Sequence, residues 1–361
     1  MKRLLGIDLC RGIAAYAVIL VHSGDATWGL PISSAAENFR LLFYFAVPFF
    51  IATSFYFMVN RPKIDISGRF WRSRIERIII PYLAWTIIYL SLKLIIFPLS
   101  DRGGQIEAIF QDPWGIIFLG GASYHLYFLP LIFTGSFLVV VANYLNKKYI
   151  SLSCLCLLLG LSLISYQILI WSDNNFQLGA NVAFVSILQL INSDFPGYNL
   201  VRLTLVAIAW LLRCLPYLFA SIIYTNLIKN ELLKFRGRTI ILFWLTTFVV
   251  INTLGKAALP LAFREIAISF SLLSFAISLS SYLKNSKFII NLGKCSFGIY
   301  LLHPLAKSGV EIFLDKFIPT IVQSISITSM MVYSSLTFIL SWYAVSFGIK
   351  NKAIAKYLFG A

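Results

Sequence analysis

The sequence predicts an all-α, polytopic integral membrane protein with about ten transmembrane helices and both termini in the cytoplasm. Three observations predict this fold. The 361 residues are 59% hydrophobic and only 12% charged, the mean hydropathy is strongly positive, and long apolar runs alternate with charged connections. Such a composition excludes an ordinary soluble domain. The net charge of +16 follows the connections, so it predicts membrane topology and not a nucleic-acid partner.

Ten apolar segments set the order of the predicted helices. Neither a repeat nor a soluble domain interrupts them, so residues 1–361 are expected to form one transmembrane domain. Arg11 interrupts the first segment and no convincing cleavage motif follows it, which favours a retained helix over a signal peptide. The predicted helices run roughly over residues 4–24, 39–60, 75–98, 122–143, 150–171, 198–228, 239–255, 258–283, 293–314 and 321–348.

The charge of the connections predicts the orientation of these helices. Lys and Arg concentrate at the two termini and in alternate connections, whereas most Asp and Glu lie in the other connections. Basic connections usually stay in the cytoplasm, so the pattern places both termini there. An even number of helices agrees with this, because it requires both termini to lie on the same side of the membrane.

Three predicted outer connections are long enough to contribute to function: residues 25–38, 99–121 and 172–197. The last one mixes aromatic, amide and acidic residues, a combination that suits sugars through ring stacking and hydrogen bonds. An ordinary solvated loop with interfacial aromatic residues accounts for this composition equally well.

The first helix carries an arginine and a histidine on one face. Arg11 and His22 are eleven positions apart, which places them on nearly the same face and about 16 Å apart along the axis. Small residues between them, such as Ala14 and Val18, allow a neighbouring helix or a ligand chain to lie close. Ionisable residues inside a membrane are costly and therefore indicate a functional site.

The third helix begins with a cluster of arginines. Arg74 and Arg77 are three positions apart, so they share a helix face near an N-terminus, where anions are favoured. Guanidinium groups bind phosphate oxygens in pairs. The two arginines therefore predict a phosphate clamp, or they serve only to fix topology, a role that Arg69 and Arg72 also fill.

The other two histidines also lie in or near membrane segments. His125 is expected to open the fourth helix on the outer side, and His303 lies ten residues into the ninth helix, near mid-depth. Pro304 frees a backbone carbonyl there, and Tyr300 lies one turn before His303 on the same face. A membrane histidine serves either in catalysis or as a hydrogen-bonding group in helix packing.

The cysteines have neither metal-ligand spacing nor the pattern of a secreted disulfide framework. They predict buried apolar thiols and no metal site. The five cysteines are Cys10, Cys154, Cys156, Cys214 and Cys295.

As an ordered set, four stretches resemble the acyltransferase-3 family of membrane O-acyltransferases. They are residues 11–22, 74–81, 125–129 and 296–303. The resemblance runs to about residue 305 and covers the ten-helix core, without the hydrolase-like domain of some members. It implies transfer of an acyl group, usually acetyl, from cytoplasmic acyl-CoA to a hydroxyl of a lipid-linked or exported glycan. The expected location is the bacterial inner membrane.

The resemblance also implies roles for individual residues. Coenzyme A is polyanionic, so its phosphates are expected at Arg74 and Arg77, with Arg11 as a further candidate. His22 is expected to act as the general base that removes the proton of the acceptor hydroxyl. A transient acyl-histidine is the competing mechanism. The candidates for stabilising the thioester oxyanion are Tyr300, His303 and His125.

Two other functional classes fit parts of the sequence. A transporter or flippase of a glycan or small polar metabolite also needs charges near the membrane midplane, although no inverted repeat is visible. A structural or sensor subunit would not need His22 at all.

Overall fold

The computed structural model describes residues 3–23, 32–60, 66–99, 110–148, 150–172, 183–191, 193, 195–230, 237–318 and 325–361. Within these residues the regular elements are helices, and one isolated bridge joins Ile32 to Ile325. Ten helical segments of the described chain are long and apolar enough to cross a bilayer. The predicted all-α polytopic fold and its helix count are therefore confirmed.

Three of the ten spans are built from two shorter helices in succession. A π-helical turn, Ile75–Ile79, joins the two parts of the third span, and a 3₁₀ turn, Ser136–Leu138, joins those of the fourth. The helices are α1 (Leu5–His22), α2 (Ser34–Leu41), α3 (Ala46–Val59), α4 (Gly68–Arg74), α5 (Ile80–Leu99), α6 (Pro113–Leu119), α7 (Phe128–Gly135), α8 (Val139–Lys147), α9 (Leu152–Trp171), α10 (Val185–Gln189), α11 (Tyr198–Lys229), α12 (Arg238–Ala258), α13 (Leu261–Ser280), α14 (Lys287–Phe317), α15 (Ile327–Gly348) and α16 (Lys352–Phe359).

The helices form two compact units. The first contains Met1–Ser54 and Leu227–Ala355 together with Ala361, and the second contains Phe55–Asn226 and Lys356–Gly360. A short C-terminal segment thus packs with the middle of the chain.

In the first unit α1 packs against α13, α14 and α15. Ala14, Ala15 and Ala17 of α1 are fully buried, and such small side chains let helices approach closely. A Cβ at Gly6 would collide with the carbonyl oxygen of Ala276 in α13. The first helix is therefore a central element of this unit, and neighbouring helices lie close to its small residues as predicted.

The fourth span begins later than predicted. Its helix starts at Phe128, and residues 123–127 form turns. His125 lies in these turns, is 1% exposed, and has its ring 5.4 Å from that of Tyr89. Tyr89 precedes the end of α5 by ten residues, about 15 Å of helix. The prediction that His125 opens a helix at the end of the span is therefore wrong, since the residue lies deep beside α5.

Hydrogen bonds to one side chain hold the segment that leads into these turns. The hydroxyl of Tyr82 donates to the carbonyl oxygens of Ile116 and Ile117, at 2.9 Å each. It also accepts from the N–H of Gly120 at 3.0 Å. Gly120 has φ +83°, a value that favours glycine. Backbone groups satisfied in this way can remain non-helical at membrane depth.

Burial of the cysteines was predicted correctly for three of the five. Cys10, Cys214 and Cys295 are buried, whereas Cys154 and Cys156 are exposed on the surface of α9. The same surface carries exposed Leu157 and Leu161. An apolar thiol in a membrane span can face lipid as readily as a protein core, which apolar patterning alone does not distinguish.

The long connections are only partly described. Residues 24–31, 100–109, 173–182, 192 and 194 lie outside the described residues. The sugar-binding surface predicted within residues 172–197 falls largely among them, so it stays a prediction.

Candidate active site

A proline inside α14 sets the orientation of the buried His303. Pro304 has no backbone N–H, so the carbonyl of Tyr300, four residues earlier, loses its helical partner. Nδ1 of His303 lies 2.6 Å from this carbonyl oxygen. Because a carbonyl oxygen only accepts, Nδ1 carries the hydrogen and donates it. In the neutral ring Nε2 then holds the lone pair and can accept a proton.

The same place brings together three residues that the sequence analysis singled out. The ring centroids of His22 and His303 are 5.9 Å apart, and the planes are inclined by 25°. The ring of Tyr300 lies 5.9 Å from that of His303 and 6.4 Å from that of Phe50. His303 is 0% exposed and Tyr300 is 3% exposed. We call His22, Tyr300 and His303 the histidine cluster.

The histidine cluster forms because α1 and α14 run in parallel. Near their N-termini, Gly12 lies against Leu292, and a Cβ at Gly293 would collide with the carboxyl group of Asp8. About 15 Å beyond Gly12 along α1, the pair of His22 and His303 follows. The glycines thus permit the close approach that aligns the two histidine-bearing faces.

Arg11 lies on α1, nearer the N-terminus of this helix than the histidine cluster. The helix is continuous from Leu5 to His22, so the predicted separation of about 16 Å between Arg11 and His22 follows from helix geometry. Asp8 interacts electrostatically with Arg11, but its carboxylate accepts a hydrogen bond from Nε of Arg3. Arg3 also donates to the carbonyl oxygen of Ile290, at 3.2 Å. Asp8 is therefore shared between two arginines.

Arg74 and Arg77 belong to the second unit, and Arg74 directly precedes a π-helical turn, Ile75–Ile79, that contains Arg77. Pro81 explains this turn, because its ring would clash with the carbonyl of Arg77 in a regular helix. The guanidinium of Arg74 lies 5.3 Å from the ring centroid of Phe70, and Arg77 is exposed. The prediction that Arg74 and Arg77 share a helix face is therefore wrong, because the π turn rotates the two residues further apart than a regular helix would.

The carboxylate beside the two arginines binds a different partner. Glu76 pairs with Arg72, with Nε and Oε1 3.1 Å apart. The two residues lie about one helical turn apart and form an ion pair on the protein surface. Arg72 is therefore engaged in an ion pair on the same helix that presents Arg74 and Arg77.

The C-terminal segment packs beside the same part of the third span. Nε1 of Trp85 donates to the carbonyl oxygen of Leu358, at 2.9 Å. Gly360 has φ +59°, and a Cβ there would collide with the carbonyl oxygen of Arg77. The segment thus lies against the carbonyl oxygen of Arg77, whose regular α-helical donor would be residue 81, a proline without an N–H.

His125 also belongs to the second unit and is held by local contacts. Its Nδ1 lies 3.2 Å from the hydroxyl of Ser123, and its ring lies 5.4 Å from that of Tyr124. Its neighbour Tyr89 is twelve residues beyond Arg77, about 18 Å along the helix axis. The structure therefore does not bring His125 together with the two arginines.

An ion pair that the sequence analysis missed anchors the segment before His125. Arg202 donates two hydrogen bonds to Asp112, at 2.8 and 2.7 Å. Asp112 also caps α6 by accepting from the N–H of Gly115 at 2.9 Å. Hydrogen bonding from Arg202 holds the pKa of Asp112 below its usual value, against the opposing effect of burial. An isolated arginine within an apolar span was the available signal.

Comparisons with known proteins give one family and one partial similarity. The model of the acyltransferase-3 family, described as an acyltransferase domain, matches residues 4–345. An amino-acid racemase from Enterococcus faecalis is 29% identical over 152 residues, which are 40% of this chain and 19% of the racemase. The chain thus spans about a fifth of that relative's length. No solved structure matches the chain.

Proposed function

The chain belongs to the acyltransferase-3 family of membrane acyltransferases, and from this premise we propose that it moves an acetyl group from acetyl-CoA to a hydroxyl of a cell-surface or exported glycan. The donor, the acceptor and a location in the bacterial inner membrane are all parts of the proposal. The similarity to the racemase covers too little of either chain to bring a racemase activity here.

The observation that carries the proposal is the histidine cluster. A glycan hydroxyl is a weak nucleophile until a base removes its proton, and a neutral imidazole suits this task near pH 7. His22 ends α1 with its ring 5.9 Å from that of His303. Two imidazoles, one of them partly exposed and the other buried, and a buried phenol provide the proton acceptors and donors that acyl transfer requires.

In the proposed reaction His22 acts as the general base. It takes the proton of the acceptor hydroxyl while the oxygen attacks the thioester carbonyl carbon. The tetrahedral intermediate collapses, the carbon–sulfur bond breaks, and the proton passes to the thiolate to give free coenzyme A. In the competing mechanism His22 itself takes the acetyl group and then gives it to the acceptor.

Tyr300 is the best candidate for stabilising the oxyanion. The Nδ1 hydrogen of His303 is already donated to the Tyr300 carbonyl, so the neutral His303 ring has no second hydrogen to give. The phenol of Tyr300 has a hydroxyl that can donate. His303 is better suited to accept a proton beside His22. His125 stays a further candidate, in the second unit.

The arginines are proposed to bind the phosphates of the donor. The charge of the connections assigns the termini, Arg11, Arg74 and Arg77 to the cytoplasmic side, where coenzyme A is found. Coenzyme A carries several phosphate charges, and guanidinium groups bind such oxygens well. The uncharged pantetheine arm can extend into the membrane, whereas the phosphates stay outside it.

Mass spectrometry of surface glycans tests the proposal. Host cells that lack the gene are complemented with wild type or with His22→Ala. We expect wild type to add one acetyl unit per glycan repeat and the variant to add none. Equal glycan masses in all three strains would refute a surface-glycan acceptor.

A second measurement separates the enzyme from a transporter. A ligand that binds only the native state raises the melting temperature. We expect acetyl-CoA to raise the melting temperature of the purified protein. The absence of any shift at high acetyl-CoA concentration would favour a transporter or flippase.

A further inference from the structure

Helix α14 extends well beyond the end of α1. The helix α1 ends at His22, and this end lies beside His303 of α14. From there α14 continues to Phe317, fourteen residues past His303 and about 21 Å along the axis. This extension points away from the end of the unit at which α1 and α14 begin.

The extension continues the polar face of the histidine cluster. At about 100° per residue, Tyr300, His303, Lys307 and Glu311 fall within an arc of about 80°. Lys307 lies one turn beyond His303, and Glu311 lies one turn beyond Lys307, at steps of about 6 Å. The face of α14 that carries Tyr300 and His303 thus continues with a cation, Lys307, and then a carboxylate, Glu311.

Exposure along this face rises steadily. His303 is 0% exposed, Lys307 is 6% exposed, Glu311 is partly exposed and Asp315 is exposed. Lysine is among the residues least often buried. A buried lysine one turn from the histidine cluster, on a helix face whose exposure rises toward the helix end, therefore calls for a functional explanation.

The neighbouring helix supports the polar character of this end. Tyr333 of α15 packs against Val310 and Leu314 of α14. It also interacts electrostatically with Glu311 and Asp315. The outer turns of α14 and the first turns of α15 therefore combine an apolar contact with charged groups along one edge.

We propose that Lys307 and Glu311 bind and orient the glycan acceptor on its way to the histidine cluster. The ammonium of Lys307 donates to sugar oxygens, and the carboxylate of Glu311 accepts from sugar hydroxyls. The two charges balance, so the pair suits a hydroxyl-rich part of the acceptor without net charge. Both are positioning residues, and the proposal rests on the function proposed above.

The test measures acetyl transfer from acetyl-CoA to unacetylated glycan, purified from a host strain lacking the gene. We expect Lys307→Met and Glu311→Gln each to raise the KM for glycan about tenfold or more, the effect of losing one charge-assisted hydrogen bond. The KM for acetyl-CoA should change by less than about twofold. Lys307→Arg, which keeps the cation, should retain a glycan KM close to that of wild type.

Lys316→Met is the matched control, because Lys316 is an exposed lysine on the same helix. It should behave as wild type. If Lys307→Met fails to fold, Glu311→Gln decides the matter, since it changes a partly exposed side chain with almost no change of shape. An unchanged glycan KM in Glu311→Gln, or an equal rise in both KM values, would overturn this inference while acetyl transfer persists. Absence of transfer by the wild type would instead refute the proposed function.

Discussion

The ring of His22 lies 5.9 Å from the ring of His303, with the planes inclined by 25°, although the two residues come from nearly opposite ends of the chain. They meet because α1 and α14 run in parallel and are aligned by glycine contacts near their N-termini. The proposed proton transfer depends on this pairing, and so do the first two predictions.

Replacing His22 by glutamine should separate binding from catalysis. Glutamine retains hydrogen-bonding capacity but cannot take up a proton near neutral pH. We expect His22→Gln to keep its fold and its stabilisation by acetyl-CoA, and to lose acetyl transfer. Melting temperatures with and without acetyl-CoA, together with a transfer assay, check this. Retained turnover would remove His22 from the mechanism.

Replacing Pro304 by alanine should disturb the orientation of His303. The alanine N–H would compete with His303 Nδ1 for the carbonyl of Tyr300. We expect turnover to fall by about tenfold to a hundredfold, a partial loss compared with the roughly 10²–10⁴-fold that general acid–base catalysis contributes, and the folded state to be retained. Kinetics and thermal unfolding measure the two effects.

Pro98→Ala is the control for this prediction, because Pro98 also lies inside a helix, near the end of α5. It should leave turnover unchanged. Equal turnover in Pro304→Ala and wild type would show that the proline does not orient the histidine for catalysis.

Replacing Arg74 or Arg77 should weaken donor binding. Arg77→Gln removes an exposed guanidinium without disturbing a described ion pair, and Arg74→Gln also removes the contact with Phe70. We expect each to weaken acetyl-CoA binding by about 1.5–3 kcal/mol. Arg72→Gln serves as the control, since Arg72 pairs with Glu76. If all three variants bind like wild type, the arginines serve topology alone.

The pair of Asp112 and Arg202 should make stability depend on pH in the acid range. The pKa of Asp112 is lowered in the folded protein, so its carboxylate form stabilises the fold. This contribution is present above the unfolded-state value of about 3.9 and is lost as the pH falls through the lower folded-state value. We expect Asp112→Asn to lose about 1–3 kcal/mol at pH 7.

The difference between Asp112→Asn and wild type should shrink as the pH falls below about 4. Thermal unfolding at pH 7, 5 and 3.5 measures it, and Arg202→Gln should reproduce the loss at pH 7 because it breaks the same pair. Identical unfolding of wild type and Asp112→Asn at pH 7 would contradict the prediction.

The sequence was sufficient for features that depend on one helix at a time. The length of the apolar runs predicted the ten spans, and helical spacing predicted that Tyr300 and His303 share a face. Pro304 indicated a free carbonyl, which is the group that His303 binds. The pairing of His22 with His303 was not predictable, because periodicity identifies a helix face but not the helix that packs on it.

The errors of the sequence analysis have a common cause. His125 was placed at the start of a helix because hydropathy does not distinguish a helix from successive turns within an apolar run. The hydroxyl of Tyr82, from another part of the chain, binds Ile116, Ile117 and Gly120 and so holds the segment that leads into these turns. Asp112 and Arg202 likewise gain their significance only from each other, across 90 positions.

The hydrogen bond between Trp85 and Leu358 bears on when the second unit can finish folding during synthesis. The two residues are 273 positions apart, and synthesis proceeds at roughly 5–20 residues per second. The third span therefore waits roughly 15–55 s after its own synthesis before this partner exists. During this interval the carbonyl of Arg77 lacks its cover, so folding of the second unit is completed only after residues 356–360 have been made.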